Sequence, residues 1–210
     1  MMTEKKYILV TGSSGFIGKH LVKSLREQDY IVYEFDHDQG DIADFKLQFT
    51  KLDHIVHLAS LIFIPASWED PQSFYRTNVM GVVNVLETCR RYNCALTYIS
   101  SYVYGTPKYL PVDEKHPVNP SSPYNHSKLI AEDVCRFYSK TFNIPVTIFP
   151  AVFSAPTISL SALDIIRKPP VTTPDPAPEI SLIPSPTPLI ASPTPPAESP
   201  RPLETGEISL

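Results

Sequence analysis

Three glycines spaced three residues apart constrain the fold of this chain more than any other feature. Gly12, Gly15 and Gly18 follow the β-rich run Tyr7–Thr11 and open a helical pattern over 17–28. Gly12 permits a sharp turn, Gly15 allows backbone to approach a pyrophosphate, and Gly18 allows the helix to pack closely on the strand. The spacing therefore predicts a strand–turn–helix unit that seats phosphates at a helix N-terminus, with an ordinary glycine-rich turn as the alternative.

The rest of the first 150 residues alternates apolar strands with helical segments. Strands are predicted at Tyr7–Thr11, Ile31–Asp36, His54–Leu58, Ala95–Ser100 and Val146–Phe149, and helices at 17–28, 44–51, 73–92 and 124–142. The first helix is expected to pack through Ile17, Leu21, Val22 and Leu25. Continuously apolar strands between helices predict an α/β fold with a doubly wound parallel sheet of the Rossmann type.

Proline divides the chain into two parts. Nine of the 23 prolines lie in residues 1–150 and 14 in the 60 residues that follow, and Phe153 is the last aromatic residue. Proline removes backbone donors and disfavours helix before it, and a segment without aromatic anchors buries little apolar surface. The sequence therefore predicts a folded domain over 1–155 and a disordered, proline-rich tail over 156–210.

Composition excludes several classes of protein. A net charge of −4 gives no basic face for nucleic acid, and no apolar run is long enough for a membrane span. The polar N-terminus leads directly into a strand, so a cytoplasmic protein without a secretory signal is expected. Cys89, Cys94 and Cys135 have no metal-ligand spacing and are expected to be buried thiols, so no metal site is predicted.

Asp36 adds weight to the dinucleotide interpretation. It closes the second predicted strand, 24 residues after Gly12, where a carboxylate would accept hydrogen bonds from the adenosine ribose. That carboxylate would repel a 2′-phosphate, and no arginine lies in 34–41, so NAD is favoured over NADP. A solvated aspartate at a strand end is the alternative, and Asp38 could share the role.

Tyr124 and Lys128 predict the chemistry. They stand four residues apart on a predicted helix and therefore share a face. A lysine ammonium beside a phenol would lower the tyrosine pKa, and the same ammonium could hold nicotinamide-ribose hydroxyls. Tyr124 could then remove a proton from a substrate hydroxyl, with Ser100 at a strand end hydrogen-bonding the same oxygen. Alone, such a Tyr/Lys pair is usually helix surface.

Seven motifs occur in the order of a known family. They are Thr11-Gly-Ser-Ser-Gly-Phe-Ile-Gly18, Asp36, Gly40-Asp-Ile42, His57-Leu-Ala-Ser60, Asn78-Val-Met-Gly81, Ser100-Ser-Tyr-Val-Tyr-Gly105 and Tyr124-Asn-His-Ser-Lys128. Over about residues 5–149 the chain resembles the extended short-chain dehydrogenase/reductases, specifically the NAD-dependent epimerase/dehydratase group of nucleotide-sugar enzymes. The position of Ser100, four residues before Tyr104, matches the family's catalytic hydroxyl.

The resemblance implies a full set of site residues. Ser100, Tyr124 and Lys128 would be catalytic. The cofactor would contact Gly12, Gly15, Phe16, Ile17, Gly18, Asp36, Asp41, Ile42, Leu58, Ala59, Ser60, Asn78, Tyr124 and Lys128. Within this set, Asp41 and Ile42 would flank the adenine.

The resemblance also implies a reaction and an assembly. Dehydratases of the group carry an Asp-Glu pair where this chain has Ser101 and Tyr102, so epimerase or simple dehydrogenase chemistry on a nucleotide sugar is favoured. In the epimerase version, hydride passes to NAD and returns to the other face of the sugar. The helices at 73–92 and 124–142 would form a homodimer face.

The sequence leaves more than one function open. The family's sugar-binding domain has no counterpart here, since the proline-rich tail stands in its place, and a truncated relative is expected. The chain could turn over a nucleotide sugar, could bind NAD without turnover, or could act as an interaction module through the proline-rich tail.

Overall fold

A computed structural model describes residues 5–46, 48–101, 105, 108–109 and 116–149. The predicted boundary at 155/156, the tail over 156–210, Tyr102 and Tyr104 lie outside the described residues. Among the described residues, no helix is long and apolar enough to cross a membrane.

Five parallel strands form one sheet in the order β2-β1-β3-β4-β5. The strands are β1 (Tyr7–Thr11), β2 (Ile31–Phe35), β3 (His54–His57), β4 (Ala95–Ile99) and β5 (Val146–Phe149). Each lies within one residue of its predicted bounds. The chain moves from β1 to β2 in one direction and to β3 in the other, so the order reverses beside β1, where open α/β sheets form their ligand crevice.

Helices cover both faces of the sheet. They are α1 (Phe16–Glu27), α2 (Ile64–Glu69), α3 (Pro71–Tyr75), α4 (Gly81–Tyr92) and α5 (Pro123–Phe142). On one face, Ile8, Val10 and Val56 pack against Leu21, Val22 and Leu25 of α1. On the other, Leu9, Ile55 and Leu96 pack against Val82, Val85 and Leu86 of α4 and Ala131 and Cys135 of α5. The doubly wound parallel sheet is confirmed.

Two expectations for helices are wrong. Ile17 is 41% exposed because it stands at the open start of α1, and the packed face begins at Gly18 instead. The described residues of 44–51 are not helical. There the Asn84 side chain donates to the carbonyls of Ile42 and Phe45, and the Tyr92 hydroxyl accepts from the Phe49 N–H. Tertiary hydrogen bonds thus replace those of a helix.

The helix predicted over 73–92 is interrupted. α3 passes into a π-helical turn, Arg76–Met80, before α4 begins. The Asp70 side chain caps α3 by accepting from the Ser73 N–H at 3.1 Å, and Pro71 occupies the first turn. α2 was not predicted. π-Helical turns occur often at functional sites, and this one carries Asn78.

Two buried histidines lie on β3, His54 at the start of the strand and His57 at its end, next to the carboxyl edge of the sheet. The His54 ring contacts the Thr97 hydroxyl at 2.8 Å, and the His57 ring contacts the Thr11 hydroxyl at 2.7 Å. Burial, with a smaller effect of Lys6, lowers the pKa of His54 to about 4. Burial, with a smaller effect of Lys128, lowers the pKa of His57 to about 3. Both rings are therefore neutral in the folded chain near neutral pH.

The histidines predict a loss of stability in acid. Their ordinary pKa is 6.5, so below that pH the histidines of the unfolded chain bind protons whereas those of the folded chain stay neutral. The free energy of unfolding should fall as pH drops from 6.5 towards 4, by about 1.4 kcal/mol per pH unit for each histidine. Urea unfolding across this range should show a shallower slope for His57→Gln than for the parent protein, with the exposed Lys19→Ala, which removes no histidine, as the control. Equal slopes in the parent protein and His57→Gln would contradict the assignment.

Candidate active site

The glycine turn lies at the end of β1 and is packed too closely for side chains. Gly12 has a φ of +72°, and a Cβ there would lie 2.8 Å from the Ala59 nitrogen in the loop after β3. A Cβ on Gly18 would lie 2.2 Å from the carbonyl oxygen of Gly12. Gly18 therefore lets α1 begin directly against the turn, as its position in the sequence predicts.

The start of α1 is open to an anion. Gly15 is the N-cap, and no described side chain caps the helix. Phe16 and Ile17 are exposed beside it. Unpaired N–H groups and the positive end of the helix dipole therefore face out from the turn, the arrangement that binds phosphates.

Asp36 adjoins this turn. Its carboxylate accepts from the Ser13 hydroxyl and, at 2.7 Å, from the Ser14 N–H. Its own N–H donates to the Gln39 side chain at 2.8 Å, in the short 3-10 turn His37–Gln39. A carboxylate fixed at the end of β2 and a phosphate-binding turn at the end of β1 are thus neighbours, the distribution that an adenosine diphosphate needs.

Asp41 and Ile42 follow β2. Arg76 in the π-helical turn binds Asp41, and Gly81 just after the turn packs on Ile42. Asp41 accepts from the Ala43 N–H and, at 2.8 Å, from Arg76 Nε. These contacts, the Ala43 N–H most strongly, lower the pKa of Asp41. Ile42 is buried under Gly81, where a Cβ would lie 2.8 Å from its Cγ2.

Asn78 links the loop after β3 to α5. Its Oδ1 accepts from the Ser60 hydroxyl and from the Leu61 N–H, both at 2.9 Å. Its Nδ2 donates to the Leu61 carbonyl at 3.1 Å and to the Ser127 hydroxyl at 3.0 Å. The amide is buried, so these bonds fix the loop that carries Leu58, Ala59 and Ser60 beside the glycine turn.

Tyr124 meets Ser101 rather than Ser100. The Tyr124 hydroxyl donates to Ser101 Oγ at 2.7 Å, whereas the Ser100 hydroxyl donates to the Glu132 carboxylate. Successive residues at the end of β4 point to opposite sides, so only one of the two serines can face Tyr124. Ser101 therefore occupies the position against Tyr124, and the role of Ser100 at the substrate oxygen stays a prediction.

The expectation that Lys128 lowers the pKa of Tyr124 is wrong. Burial raises the pKa of Tyr124, and its hydrogen bond with Ser101 opposes this only in part. The Lys128 ammonium is directed elsewhere: its Nζ donates to the Ile99 carbonyl at 2.9 Å and lies 4.5 Å from the centre of the Tyr98 ring. Burial lowers the pKa of Lys128 to about 8.

An apolar pocket of about 420 Å³ adjoins Tyr124. It is lined by Ser60, Leu61, Ile62, Phe63, Ala66, Asp70, Ser73 and Phe74. The Phe74 ring meets the Tyr124 ring edge-on, with ring centres 6.4 Å apart. The pocket therefore lies beside the loop fixed by Asn78, and Phe74 connects it to the phenol. In the described part of the chain, no three histidine, cysteine or acidic side chains are grouped to hold a metal ion.

The arrangement is the one that doubly wound sheets use to bind a dinucleotide. The glycine turn, Asp36, the loop after β3 and the Tyr124–Ser101 pair all lie at the carboxyl edge of the sheet. The sequence matches the NAD dependent epimerase/dehydratase family over residues 8–152. The chain belongs to this family.

Individual members support the assignment. A provisionally assigned UDP-glucose 4-epimerase of Methanocaldococcus jannaschii is 37% identical over 163 residues, covering 67% of this chain and 53% of the relative. The UDP-glucose 4-epimerase of Brucella ovis, solved with NAD, is 29% identical with a TM-score of 0.63, covering 69% of this chain and 51% of that one.

A third member was solved with both cofactor and substrate. The UDP-glucuronic acid 4-epimerase of Bacillus cereus, in complex with UDP-glucuronic acid and NAD, is 30% identical with a TM-score of 0.63. The match covers 68% of this chain and 55% of that one. The chain thus spans about half the length of the epimerases that it matches.

The sequence pattern does not identify three residues of the site. It gives no sign that Ser101 contacts Tyr124, and it points to neither Glu132 nor Arg76. Glu132 could have been found, because it stands one helical turn after Lys128 and shares its face. Arg76 had no such signal, since its contacts with Asp41 and Asp44 join segments far apart in sequence.

Gly18→Ala should destabilise the whole domain. The new methyl group cannot fit 2.2 Å from the Gly12 carbonyl, so α1 must move off the turn. We expect the free energy of unfolding to fall by about 1–3 kcal/mol or more. Guanidinium unfolding followed by circular dichroism measures this, with the exposed Lys19→Ala as control. A Gly18→Ala protein within about 0.5 kcal/mol of the parent would contradict the packing argument.

Proposed function

We propose that this chain binds NAD and catalyses reversible oxidation of a sugar hydroxyl in a nucleotide sugar, as an epimerase does. The observation that carries the proposal is the Tyr124–Ser101 hydroxyl pair, with Lys128 one turn away, at the sheet edge that bears the glycine turn. Family membership supports it, since members with this fold are named as UDP-sugar 4-epimerases solved with NAD.

The described residues fit a dinucleotide. The pyrophosphate would lie on the backbone of Gly12, Gly15, Phe16, Ile17 and Gly18, where side chains at the turn would collide with neighbouring backbone. The adenosine ribose would bind Asp36, and the adenine would lie by Asp41 and Ile42. The groove between would be lined by Leu58, Ala59, Ser60 and Asn78, with Tyr124 and Lys128 at the nicotinamide end.

The residues themselves handle the proton. Tyr124 would accept the proton of the sugar hydroxyl and return it, while Ser101 hydrogen-bonds the same oxygen and Lys128 holds ribose hydroxyls. Burial raises the pKa of Tyr124, so the phenolate needs positive charge nearby. When bound, NAD supplies the hydride acceptor and a positively charged ring beside the phenol. The apolar pocket beside Phe74 would receive the sugar.

The domain boundary and assembly complete the proposal. Residues 1–155 would form the NAD-binding domain, and the proline-rich segment 156–210 would lie outside it. A homodimer through the helices at 73–92 and 124–142 is supported by Phe137 on α5, which is 62% exposed. Size measured by light scattering tests the dimer, which Phe137→Asp should dissociate.

Asp36→Asn should weaken NAD binding and reduce discrimination against NADP. Loss of a charged hydrogen bond to the ribose costs about 1.5–3 kcal/mol, a roughly 10- to 150-fold weaker Kd. Calorimetric titration with NAD and then NADP measures both effects. Asp38→Asn, an exposed neighbour, is the control. A larger loss in Asp38→Asn than in Asp36→Asn would move the ribose role to Asp38.

Tyr124→Phe should abolish turnover and leave NAD binding intact. The variant keeps the ring packed against Phe74 but removes the acid–base group, which contributes about 10²–10⁴ in rate. Epimerisation of UDP-glucose or UDP-glucuronic acid by the full chain is the assay. Ser101→Ala should cost more activity than Ser100→Ala if the hydrogen-bond geometry assigns the serines correctly.

The outcomes separate the competing functions. NAD binding without turnover of any nucleotide sugar would favour a cofactor-binding remnant. A parent protein that does not bind NAD would overturn the proposal. Partner binding lost on deletion of 156–210, with NAD binding unaffected, would favour the interaction module.

A further inference from the structure

Helix α5 carries four polar side chains at four-residue intervals along one face. They are Tyr124, Lys128, Glu132 and Arg136. The proposed chemistry uses the first two. Glu132 has no part in it, yet its side chain is only 7% exposed. Carboxylates are seldom buried without a partner, because removing the charge from water is costly.

Both oxygens of Glu132 are engaged. One accepts from the Ser100 hydroxyl at the end of β4. The other accepts from Arg136 at 2.5 Å, one turn further along α5. A buried serine and a half-exposed arginine therefore fix this carboxylate from two sides, beside the end of β4.

Lys128 lies one turn before Glu132 and is as deeply buried. The groups around it come from three elements: His57 on β3, Tyr98 on β4, and Glu132 and Cys135 on α5. Burial lowers the pKa of Lys128 to about 8, and negative charge at Cys135 or Glu132 would raise it.

Only one of these groups is charged near neutral pH. Burial raises the pKa of the Cys135 thiol to about 12 and raises that of the Tyr98 phenol well above its ordinary value, so both are neutral. The pKa of His57 is lowered to about 3, so its ring is neutral as well. The carboxylate of Glu132 is therefore the negative charge that acts on the Lys128 ammonium.

We propose that Glu132 is a positioning residue for Lys128: held by Ser100 and Arg136, its carboxylate is the buried counter-charge that keeps the ammonium in place at the site. The catalytic role of Lys128 in this proposal rests on the proposed function, whereas the effect of Glu132 on the charge of Lys128 does not. Ser100 then serves to orient Glu132, and Ser101 is the serine that faces Tyr124.

The charge state of Lys128 can be measured without cofactor or substrate. The full chain labelled with ¹³C-lysine is titrated between about pH 6 and 10 by NMR, and Lys128→Arg assigns the resonance. In the parent protein the Lys128 signal should titrate near pH 8. In Glu132→Gln, which keeps the shape and the acceptor for Ser100, the midpoint should fall by about one pH unit.

Two further variants make the test specific. Asp133→Asn removes an equal charge that also binds Arg136, but from a side chain 60% exposed, and should leave the midpoint unchanged. Arg136→Gln removes the cation that offsets Glu132 and should raise the midpoint. Because Arg136 is 44% exposed, this variant tests the proposal even if Glu132→Gln does not fold.

The outcomes are distinct from those for the proposed function. A midpoint unmoved in Glu132→Gln or in Arg136→Gln, or moved equally in Asp133→Asn, overturns the proposal. As a second readout, NAD affinity of Glu132→Gln should weaken at lower pH than that of the parent, while Asp133→Asn follows the parent. Absence of NAD binding in every protein would refute the proposed function and leave the NMR result standing.

Discussion

The burial of one ammonium group organises the site. Lys128 is 4% exposed, and a cation so placed needs compensation from every side. The Ile99 carbonyl accepts a hydrogen bond from it, the Tyr98 ring lies 4.5 Å away, and Glu132 carries the opposite charge one helical turn away. A desolvated cation–π contact contributes about 2 kcal/mol, less than the desolvation cost, and we assign part of the remaining compensation to the carboxylate. These contacts fix α5 against the end of β4. They therefore also fix the position of Tyr124, one turn earlier on α5, relative to the edge of the sheet.

A second constraint joins the cofactor groove to the same helix. Asn78 stands in a π-helical turn and binds both the loop after β3 and Ser127 of α5, between Tyr124 and Lys128. An uninterrupted α-helix would rotate this amide away from one of its partners. The groove and the acid–base pair are therefore positioned by one buried side chain, while Gly18 sets the start of α1 against the turn.

The sequence predicted most of the fold because local signals and long-range packing agree there. The apolar strands, the glycine turn and the Asp36 position all follow from local pattern. Apart from Ile17, which is exposed at the start of α1, the differences arise from contacts between residues distant in sequence. The segment 44–51 looked helical, but Asn84 and Tyr92 satisfy its backbone. The choice between Ser100 and Ser101 depends on Glu132, and the raised pKa of Tyr124 depends on burial, which pattern does not reveal.

A crystal structure of the full chain grown with NAD tests the account most directly. The account predicts the pyrophosphate on the first turn of α1, the adenosine ribose on Asp36, and the nicotinamide ribose within hydrogen-bonding reach of Lys128, with the Tyr124 hydroxyl facing the ring. A dinucleotide bound elsewhere on the chain, or with its nicotinamide end turned away from Tyr124 and Lys128, would contradict it.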